Sequence, residues 1–328
     1  MLSVVVAACE PHTVGMPGDT KATAFVTGAG GFIGTELIKT LVAGGHPVIG
    51  LVRSLEAAER VRRAGAVPVI GDLLEAGQWQ DEAAADWVFH LPPHPLRRRR
   101  VTRRRAEAIA RDRVVMDGHL LDAVAAGSTR RIVYVADTSG YGATGMRAVT
   151  EDEPQRPSPW GRCLAPALER LDGYLVAGLP IITALPGWVY GHAGWFRERA
   201  IDPVMAGRRV LQFGKAGPWV SPIHVHDCAR ALMHLAGHGE AGGRYFLVNS
   251  HPVRTNAFAE TFARLANRPL RAWRVPAAAA RFMVGPVLAD ELQAGAVLSN
   301  IRLRGIGFRF RYPTLEQGLQ QILGALDE

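Results

Sequence analysis

The feature that most constrains this chain is a glycine-rich turn between a short apolar stretch and a helical pattern. It lies in the run KATAFVTGAGGFIGTELIKTL, which begins at Lys21, and its Gly28, Gly31 and Gly34 are spaced GxxGxxG. Glycine tolerates a positive φ in such a turn, and its missing Cβ lets the backbone approach a pyrophosphate at the following helix N-terminus. The run therefore predicts a strand, a tight turn and a helix that bind a dinucleotide.

The spacing of the glycines distinguishes two kinds of dinucleotide turn. The GxGxxG pattern would need glycine where Ile33 stands, so the run matches the GxxGxxG variant. The residues that we expect to contact the cofactor in this turn are Gly28, Gly30, Gly31, Phe32, Ile33 and Gly34.

A second apolar strand, predicted from His46 to Val52, ends in Arg53 and Ser54. An acidic residue at this strand end would hydrogen-bond the ribose hydroxyls of NAD. The planar guanidinium of Arg53 can instead pair with a 2′-phosphate, so Arg53 favours NADP(H) over NAD(H). The alternative is an ordinary surface arginine in an arginine-rich chain.

The composition indicates a globular protein in a reducing compartment, for which the cytoplasm is the default. The 328 residues are 48% hydrophobic, and Cys9, Cys163 and Cys228 form no CxxC pair. We expect residues 1–21 to form a loose extension, since the apolar run near the start is too short for a targeting segment and has no basic flank. Whether translation begins at Met1 or at Met16 stays open, and we expect no membrane association.

The net charge of +8 is carried by arginine, because three of the 38 basic residues are lysine. The run LRRRRVTRRR, from Leu96 to Arg105, has three open interpretations: a solvated or interface helix face, a contact with an anionic small molecule or carrier, or a nucleic-acid contact. The run has no interleaved aromatic residues, which disfavours nucleic acid.

Further apolar strands alternate with helical patterns, which predicts a parallel, doubly wound α/β sheet of Rossmann type. The third strand, Val67 to Ile70, runs into Gly71, Asp72 and Leu73. The fourth, DWVFHLPP from Asp86, carries His90, with His94 beyond the prolines. Two histidines without a third ligand make a poor zinc site, so we expect no metal there.

The downstream landmarks carry a resemblance to a known family. In chain order they are VYVADTSGYG, TEDEP (Thr150 to Pro154), SPWGRCL, LPGWVYG (Leu185 to Gly191), IHVHD (Ile223 to Asp227) and SNIRLRGIGFRFRYPTLEQGL. Over residues 22–325 the chain resembles the NAD-dependent epimerase/dehydratase branch of the extended short-chain dehydrogenases/reductases.

The resemblance implies a domain organisation and a set of contacts. It implies an NAD(P)-binding Rossmann domain over 22–185 and a smaller α/β lobe over 186–328 that mainly binds substrate, with 220–250 returning to the main sheet. Asp72 and Leu73 would lie near the adenine; the alternative for this segment is a plain polar turn. The implied partners are a small-molecule substrate and a second copy of the chain in a homodimer.

The same resemblance exposes a missing catalytic pair. In the family a tyrosine transfers a proton to or from the substrate oxygen, and a lysine four residues later lowers the pKa of that tyrosine. In SPWGRCL these positions hold Trp160 and Leu164, whose side chains cannot do either task. No YxxxK occurs elsewhere, since the residues four positions before the three lysines are Pro17, Thr35 and Leu211.

Asp137 takes the position of the family's catalytic serine. A carboxylate at the end of a central strand could have a raised pKa and act as acid or base. Alternatively Asp137 caps a turn or pairs with an arginine. Thr138, Ser139 or Tyr141 could supply a hydroxyl instead, although the ring of Tyr141 is expected to pack rather than to act as an acid.

The downstream half carries aromatic residues and histidines. Trp188, Tyr190 and Trp195 could wall an apolar substrate pocket or could pack in a core. His224, His226 and Asp227 resemble a family segment that mostly holds the two lobes together, and catalysis by these histidines is the less favoured alternative.

The leading hypothesis is an enzyme of small-molecule metabolism that binds NADP(H) or NAD(H) but catalyses non-redox isomerisation, cyclisation or elimination. It assigns candidate catalytic roles to Asp137, Thr138, Tyr141 and Trp160. The first alternative is an NADPH-dependent reductase or epimerase with a substitute acid such as Asp137 or Tyr141. The second is a non-catalytic dinucleotide sensor or partner protein.

Overall fold

The structure, a computed structural model, describes residues 21–92, 100–214 and 216–327. Residues 1–20 of the expected N-terminal extension, His94 and the first residues of the arginine run lie outside these ranges. The last residues of that run are described: Thr102 caps a helix that begins at Arg103, and Arg103 is exposed. Within the described part, no helix is both long enough and apolar enough to span a bilayer.

The strands alternate with helices along most of the chain. The strands are β1 (Ala24–Val26), β2 (Val48–Val52), β3 (Val67–Ile70), β4 (Trp87–His90), β5 (Arg131–Val135), β6 (Ala148–Val149), β7 (Ile181–Pro186), β8 (Trp188–Tyr190), β9 (Arg209–Phe213), β10 (Trp219–Val220), β11 (Pro222–His224), β12 (Arg244–Leu247), β13 (Val253–Arg254), β14 (Arg271–Val275) and β15 (Val297–Leu298). The helices are α1 (Phe32–Ala43), α2 (Leu55–Arg63), α3 (Arg103–Ala125), α4 (Pro159–Val176), α5 (Gly194–Phe196), α6 (Asp202–Met205), α7 (Val225–His238), α8 (Ala257–Leu265), α9 (Ala277–Val284), α10 (Pro286–Glu291), α11 (Ile301–Gly305) and α12 (Leu315–Asp327).

Seven strands form one parallel sheet in the order β3-β2-β1-β4-β5-β7-β12. The predicted Rossmann-type α/β fold is therefore confirmed. The chain leaves β1 toward β2 and β3 on one side, then crosses to β4 on the other side. Connections that diverge in this way leave a crevice at the carboxyl ends of β1 and β4, where such sheets bind ligands.

Apolar side chains cover both faces of the sheet. Alternate residues of β1 point to opposite faces, so that Val26 joins the layer under α1 and α7, while Phe25 joins the layer under α3 and α4. Fully buried leucines such as Leu37 and Leu120 fill these layers, and each such side chain contributes roughly 1.5–3 kcal/mol by leaving water. The two layers fix the helices that border the crevice.

A separate apolar cluster lies in the C-terminal part of the chain. Its largest buried side chains are Tyr190, Phe196, Phe258 and Phe262, and α8 and α12 pack around them. The remaining strands form four separate pairs: β8 with β11, β9 with β14, β10 with β13 and β6 with β15. β12 lies in the main sheet itself, and the division into lobes at residue 185 stays a prediction.

Candidate active site

The glycine turn is sterically closed to other residues. Gly28 has φ +64°, and a Cβ there would lie 2.2 Å from the carbonyl oxygen of Leu91. A Cβ at Gly34 would lie 2.3 Å from the Gly28 oxygen, which accepts a 2.9 Å hydrogen bond from the Gly31 N–H. A Cβ closer than 3 Å to a backbone atom forces the backbone to shift, which is costly in a closely packed turn. The turn is thus a backbone cradle at the N-terminus of α1, which fits the pyrophosphate of a dinucleotide.

The other predicted cofactor residues lie along the same edge of the sheet. Gly30 faces α2, since a Cβ there would lie 2.8 Å from the Ala57 Cβ. Arg53 follows β2 and is exposed. Past β3, Asp72 Oδ1 accepts a 3.0 Å hydrogen bond from the Leu74 N–H, and Leu73 is buried. The side chain of Asp72 therefore caps its own turn.

Phe32 and Ile33 begin α1 at the crevice and are half-buried. The ring of Phe32 packs against the segment after β8, because a Cβ at Gly191 would lie 3.0 Å from Phe32 Cζ. This contact ties the glycine turn to the segment that follows LPGWVYG.

Asp137 lies directly beyond β5 and uses both carboxylate oxygens. Oδ1 accepts from the Ser139 N–H at 2.9 Å and from the Ser139 hydroxyl. Oδ2 accepts from the indole Nε1 of Trp160 at 2.8 Å. The expected turn-capping role of Asp137 is thus present, together with a link to Trp160 that the sequence did not predict.

Trp160 is held in the first turn of α4. Ser158 caps this helix by accepting from the Gly161 N–H at 3.1 Å, and Pro159 occupies the first helical position. The buried indole packs with Val101, Ala106 and Leu288. Leu164, one turn later, is half-buried against the same cluster.

In the part of the chain that the structure describes, no lysine lies with the cluster of Trp160 and Leu164. Lys39 pairs with Glu36 at 2.8 Å, and the Lys21 side chain lies beside Gly45. Neither of them lies with the cluster of Trp160 and Leu164.

Glu291 is the residue that sequence reasoning missed. It ends α10, and its Oε2 accepts from the Ser158 hydroxyl at 2.5 Å. Burial raises the pKa of Glu291, Ser158 lowers it in part by hydrogen bonding, and the charge of Asp137 raises it, with the outcome about 7. A carboxyl group with this pKa exchanges protons at neutral pH.

A narrow cleft borders Glu291, and its space of about 20 Å³ is roughly enough for one water molecule. Its walls include Thr138, Ser139, Trp188, Ser221, Glu291 and Leu298. Trp188 therefore lines the cleft, whereas Tyr190 is fully buried and Trp195 donates its indole N–H to the Val189 carbonyl at 2.7 Å. All three predicted pocket aromatics belong to or pack against the C-terminal apolar cluster, and Trp188 also lines the cleft.

Tyr141 is placed as a packing residue. Its ring lies 4.7 Å from that of Phe246 between centroids, and its hydroxyl donates to the Glu151 carbonyl at 3.1 Å. Burial raises the pKa of Tyr141 further above its ordinary value. A buried phenol whose hydroxyl already donates a hydrogen bond to a backbone carbonyl is poorly suited to serve as the acid.

His90 belongs to a buried polar network beneath the crevice. Its Nδ1 lies 2.8 Å from the Thr27 hydroxyl and its Nε2 lies 2.8 Å from Asp117 Oδ1. Asp117 also accepts from Arg113 at 2.7 Å and from Tyr134 at 2.5 Å. Both ring nitrogens of His90 are therefore used in linking β1, β4 and α3.

Asp227 anchors the C-terminal segment to α7. Its two carboxylate oxygens accept the backbone N–H groups of Arg311 at 2.9 Å and Tyr312 at 2.7 Å, and Arg230 adds an ion pair at 2.7 Å. His224 caps α7 by accepting from the His226 N–H at 3.3 Å. These contacts hold distant parts of the chain together.

Three known proteins illustrate what the chain is similar to. The epimerase family protein SAR0825 of Staphylococcus aureus is 31% identical over 112 residues, and the chain covers 37% of that relative's length. A 4-hydroxy-2-methyl-3-oxo-4-farnesyl-3,4-dihydroquinoline-1-oxide ketoreductase of Stigmatella aurantiaca is 28% identical over 78% of this chain and 77% of its own. Human epimerase family protein SDR39U1 (isoform 2), solved with NADPH, is 21% identical, with a TM-score of 0.76 over 92% of this chain and 99% of its own.

A family model matches residues 24–249, from the first residue of β1 to just past β12. The match thus includes the glycine turn, the whole seven-stranded sheet and the crevice at its carboxyl edge. The chain belongs to the NAD dependent epimerase/dehydratase family.

Proposed function

We propose that this protein is an NAD(P)H-dependent reductase of small ketones, with Glu291 as the group that delivers the proton. The observation that carries the proposal is the Glu291 carboxyl, whose pKa of about 7 lets it donate a proton at neutral pH in the cleft beside Asp137. The non-redox hypothesis rested on the loss of a proton donor, and Glu291 supplies one.

In the proposed reduction the glycine turn binds the cofactor and Glu291 transfers the proton. The backbone of Gly28, Gly31 and Gly34 would hold the pyrophosphate of the dinucleotide, which when bound supplies the hydride for the carbonyl carbon. As the C=O π electrons move onto oxygen, Glu291 gives its proton to that oxygen and is left as carboxylate. The product is an alcohol.

The neighbours of Glu291 prepare it for this step. Ser158 fixes the carboxyl by a 2.5 Å hydrogen bond. Asp137 carries a charge that opposes ionisation of Glu291, and Trp160 and Ser139 in turn hold Asp137 in place. Trp188 and Leu298 lie in the wall of the cleft beside Glu291, where a substrate would contact them.

The ketoreductase of Stigmatella aurantiaca supports this choice, since its name gives a farnesylated 3-oxo-3,4-dihydroquinoline as the ketone and the similarity covers most of both chains. The exposed Arg53 favours NADPH as the hydride source.

A second candidate is the non-redox isomerisation, cyclisation or elimination expected from the sequence. It is favoured by Leu164, which lies in an apolar cluster and cannot assist proton transfer or hold the nicotinamide ribose. In this candidate the cofactor would be bound without turnover.

The test is an activity assay in which the cofactor-stripped protein receives NADPH or NADH and a panel of apolar aryl and prenyl ketones. Loss of reduced-cofactor absorbance together with alcohol formation supports the proposal. Glu291→Gln should then lower kcat by about 10²–10⁴ and leave cofactor affinity unchanged. Glu169→Gln on the exposed face of α4 is the matched control and should retain activity.

Other outcomes would replace the proposal. Product formation without cofactor oxidation indicates the non-redox candidate. Different affinities for oxidised and reduced cofactor without turnover would indicate a sensor. Full reductase activity in Glu291→Gln would remove Glu291 from its assigned role.

A further inference from the structure

A group of metal-ligating side chains lies outside the cleft, where α1, α7 and the segment after β8 meet. Glu36 belongs to α1, His226 to the first turn of α7, and His192 follows β8 by two residues. His226 Nε2 lies 3.3 Å from Glu36 Oε2, and His192 Nε2 lies 4.0 Å from Glu36 Oε1. Ligand atoms of the three residues all lie within 4.8 Å of one another.

These distances match the space that one small ion would fill. Zinc binds histidine nitrogen and carboxylate oxygen at about 2.1 Å, so tetrahedral ligands lie about 3.4 Å apart. The closest pair already has this separation, and the others need shifts of about 1 Å that side-chain rotation can supply. We propose that Glu36, His192 and His226 bind one divalent transition-metal ion, for which zinc is the expected metal.

The ligand set suits zinc better than calcium or magnesium, because those ions prefer all-oxygen sites. Two imidazoles and one carboxylate leave a fourth position open in a tetrahedral site. A water molecule or an anionic group of a ligand would occupy this position.

The burial of the three side chains and their access to solvent also suit the binding of an ion. The side chain of Glu36 is 9% exposed, whereas those of His192 and His226 are 39% and 29% exposed. The carboxylate thus lies at the base of the site and the imidazoles at its entrance, so an ion can reach the site without unfolding of the surrounding helices.

Lys39 is the competing partner of the carboxylate. Its ammonium lies 2.8 Å from Glu36 Oε1, but its side chain is 53% exposed and can rotate into solvent. Oε2 faces His226 rather than Lys39, so the ion can bind that oxygen first.

The site would fix the segment that follows LPGWVYG. His192 comes directly after Gly191, which touches the ring of Phe32 from the glycine turn. An ion shared by α1, α7 and His192 would cross-link these segments on the border of the dinucleotide crevice. This proposal does not depend on the reductase assignment, because Glu291 takes no part in it.

A second pair of histidines on α7 provides an internal control. His234 and His238 stack with ring centroids 4.2 Å apart. His234 Nε2 lies 2.9 Å from the Ile306 carbonyl and His238 Nδ1 lies 3.2 Å from the His234 carbonyl. The metal cluster found among the described residues does not include this pair.

The experiment is a calorimetric titration of the full chain with Zn²⁺ after chelator treatment, together with the visible absorption of bound Co²⁺. We expect one ion per chain and the intense Co²⁺ bands of a tetrahedral site. His226→Ala and His192→Ala should weaken Zn²⁺ binding by at least about tenfold. His238→Ala should bind as the unmodified protein does.

Glu36→Gln keeps the shape of the side chain and tests the carboxylate, and circular dichroism verifies that each variant is folded. No Zn²⁺ binding by the unmodified protein, or unchanged binding by folded His226→Ala, would overturn the proposal. Loss of Zn²⁺ binding in His238→Ala alone would place the ion at the pair of His234 and His238, and it would also overturn the proposal.

Discussion

The glycine turn and the cleft lie on the same edge of the sheet but are built in different ways. The turn is formed by one short run, in which Gly28 and Gly34 approach backbone atoms to within distances that exclude any side chain. The cleft brings together Ser139, Trp188 and Glu291 from three separate segments, and a 2.5 Å hydrogen bond joins Ser158 and Glu291 across 133 positions. A binding site made by local backbone geometry can be read from spacing, whereas a site made by tertiary packing cannot.

The two regions also differ in electrostatics. In the turn the Gly31 N–H donates to the Gly28 oxygen, and the N-terminus of α1 offers N–H groups to an anion. The cleft keeps two carboxyl groups close enough that the charge of one raises the pKa of the other. Such an arrangement reduces stability at high pH and is typical of proton-transfer sites.

The largest effect should follow from breaking the turn. In Gly34→Ala the new Cβ would meet the Gly28 oxygen at 2.3 Å, so the turn must open. We expect at least about a hundredfold weaker dinucleotide binding, measured by calorimetry, because about 3 kcal/mol of backbone contacts is lost. Gly324→Ala, at an exposed position in α12 with no atom within 4 Å of the new Cβ, is the control and should bind normally. Equal affinities in the two variants would show that the cradle is not the binding site.

The next effect concerns the pH dependence of the cleft. The pKa of Glu291 rises from an ordinary 4.5 to about 7 on folding, so the folded chain holds an extra proton between these values. Stability should therefore fall as pH rises from about 4.5 to 7 and level off above, with a contribution of at most about 3 kcal/mol. Urea unfolding of the unmodified protein and Glu291→Gln at pH 5 and pH 8 measures this difference.

Glu291→Gln should lack this part of the pH dependence, while Glu169→Gln should retain it. In the reductase, kcat should also decline above about pH 7, where Glu291 loses its proton. Identical pH profiles of stability for the unmodified protein and Glu291→Gln would contradict the assignment of the raised pKa.

Much of the fold and of the dinucleotide crevice could be predicted from the sequence, for a physical reason. The glycine spacing, the apolar strands and their alternation with helices are local patterns, and β3 has the predicted bounds. The second strand begins at Val48 rather than at His46; Pro47, which precedes it, has no N–H to donate to a ladder.

The cleft was less predictable, because the sequence does not say which distant segments meet. Glu291 lies in no motif, and its pKa depends on burial and on Asp137. The aromatic run gave no signal to separate Trp188, which lines the cleft, from Tyr190, which is fully buried. The metal cluster likewise depends on Glu36, which the sequence did not single out.

A smaller effect is expected on the preference for NADPH over NADH. Arg53 is exposed at the end of β2, where its guanidinium can pair with a 2′-phosphate. Arg53→Ala should weaken NADPH binding about tenfold, as expected for one charge-assisted contact, and leave NADH binding nearly unchanged. Arg63→Ala at the end of α2 is a matched exposed control that also removes one positive charge. If Arg53→Ala and Arg63→Ala change NADPH affinity equally, the effect is general electrostatics and not 2′-phosphate recognition.

The smallest effect should come from the hydrogen bond between Trp160 and Asp137. Trp160→Phe retains an aromatic ring among Val101, Ala106 and Leu288 but removes the indole N–H that donates to Asp137 Oδ2 at 2.8 Å. Because Asp137 is only half-buried and water can replace the donor, the free energy of unfolding should fall by about 1 kcal/mol. Urea unfolding measures the change, with Trp273→Phe, at a position 52% exposed in β14, as the control. A loss no greater than that of the control would mean that the hydrogen bond from the indole adds no measurable stability, and that Ser139 holds Asp137 without its help.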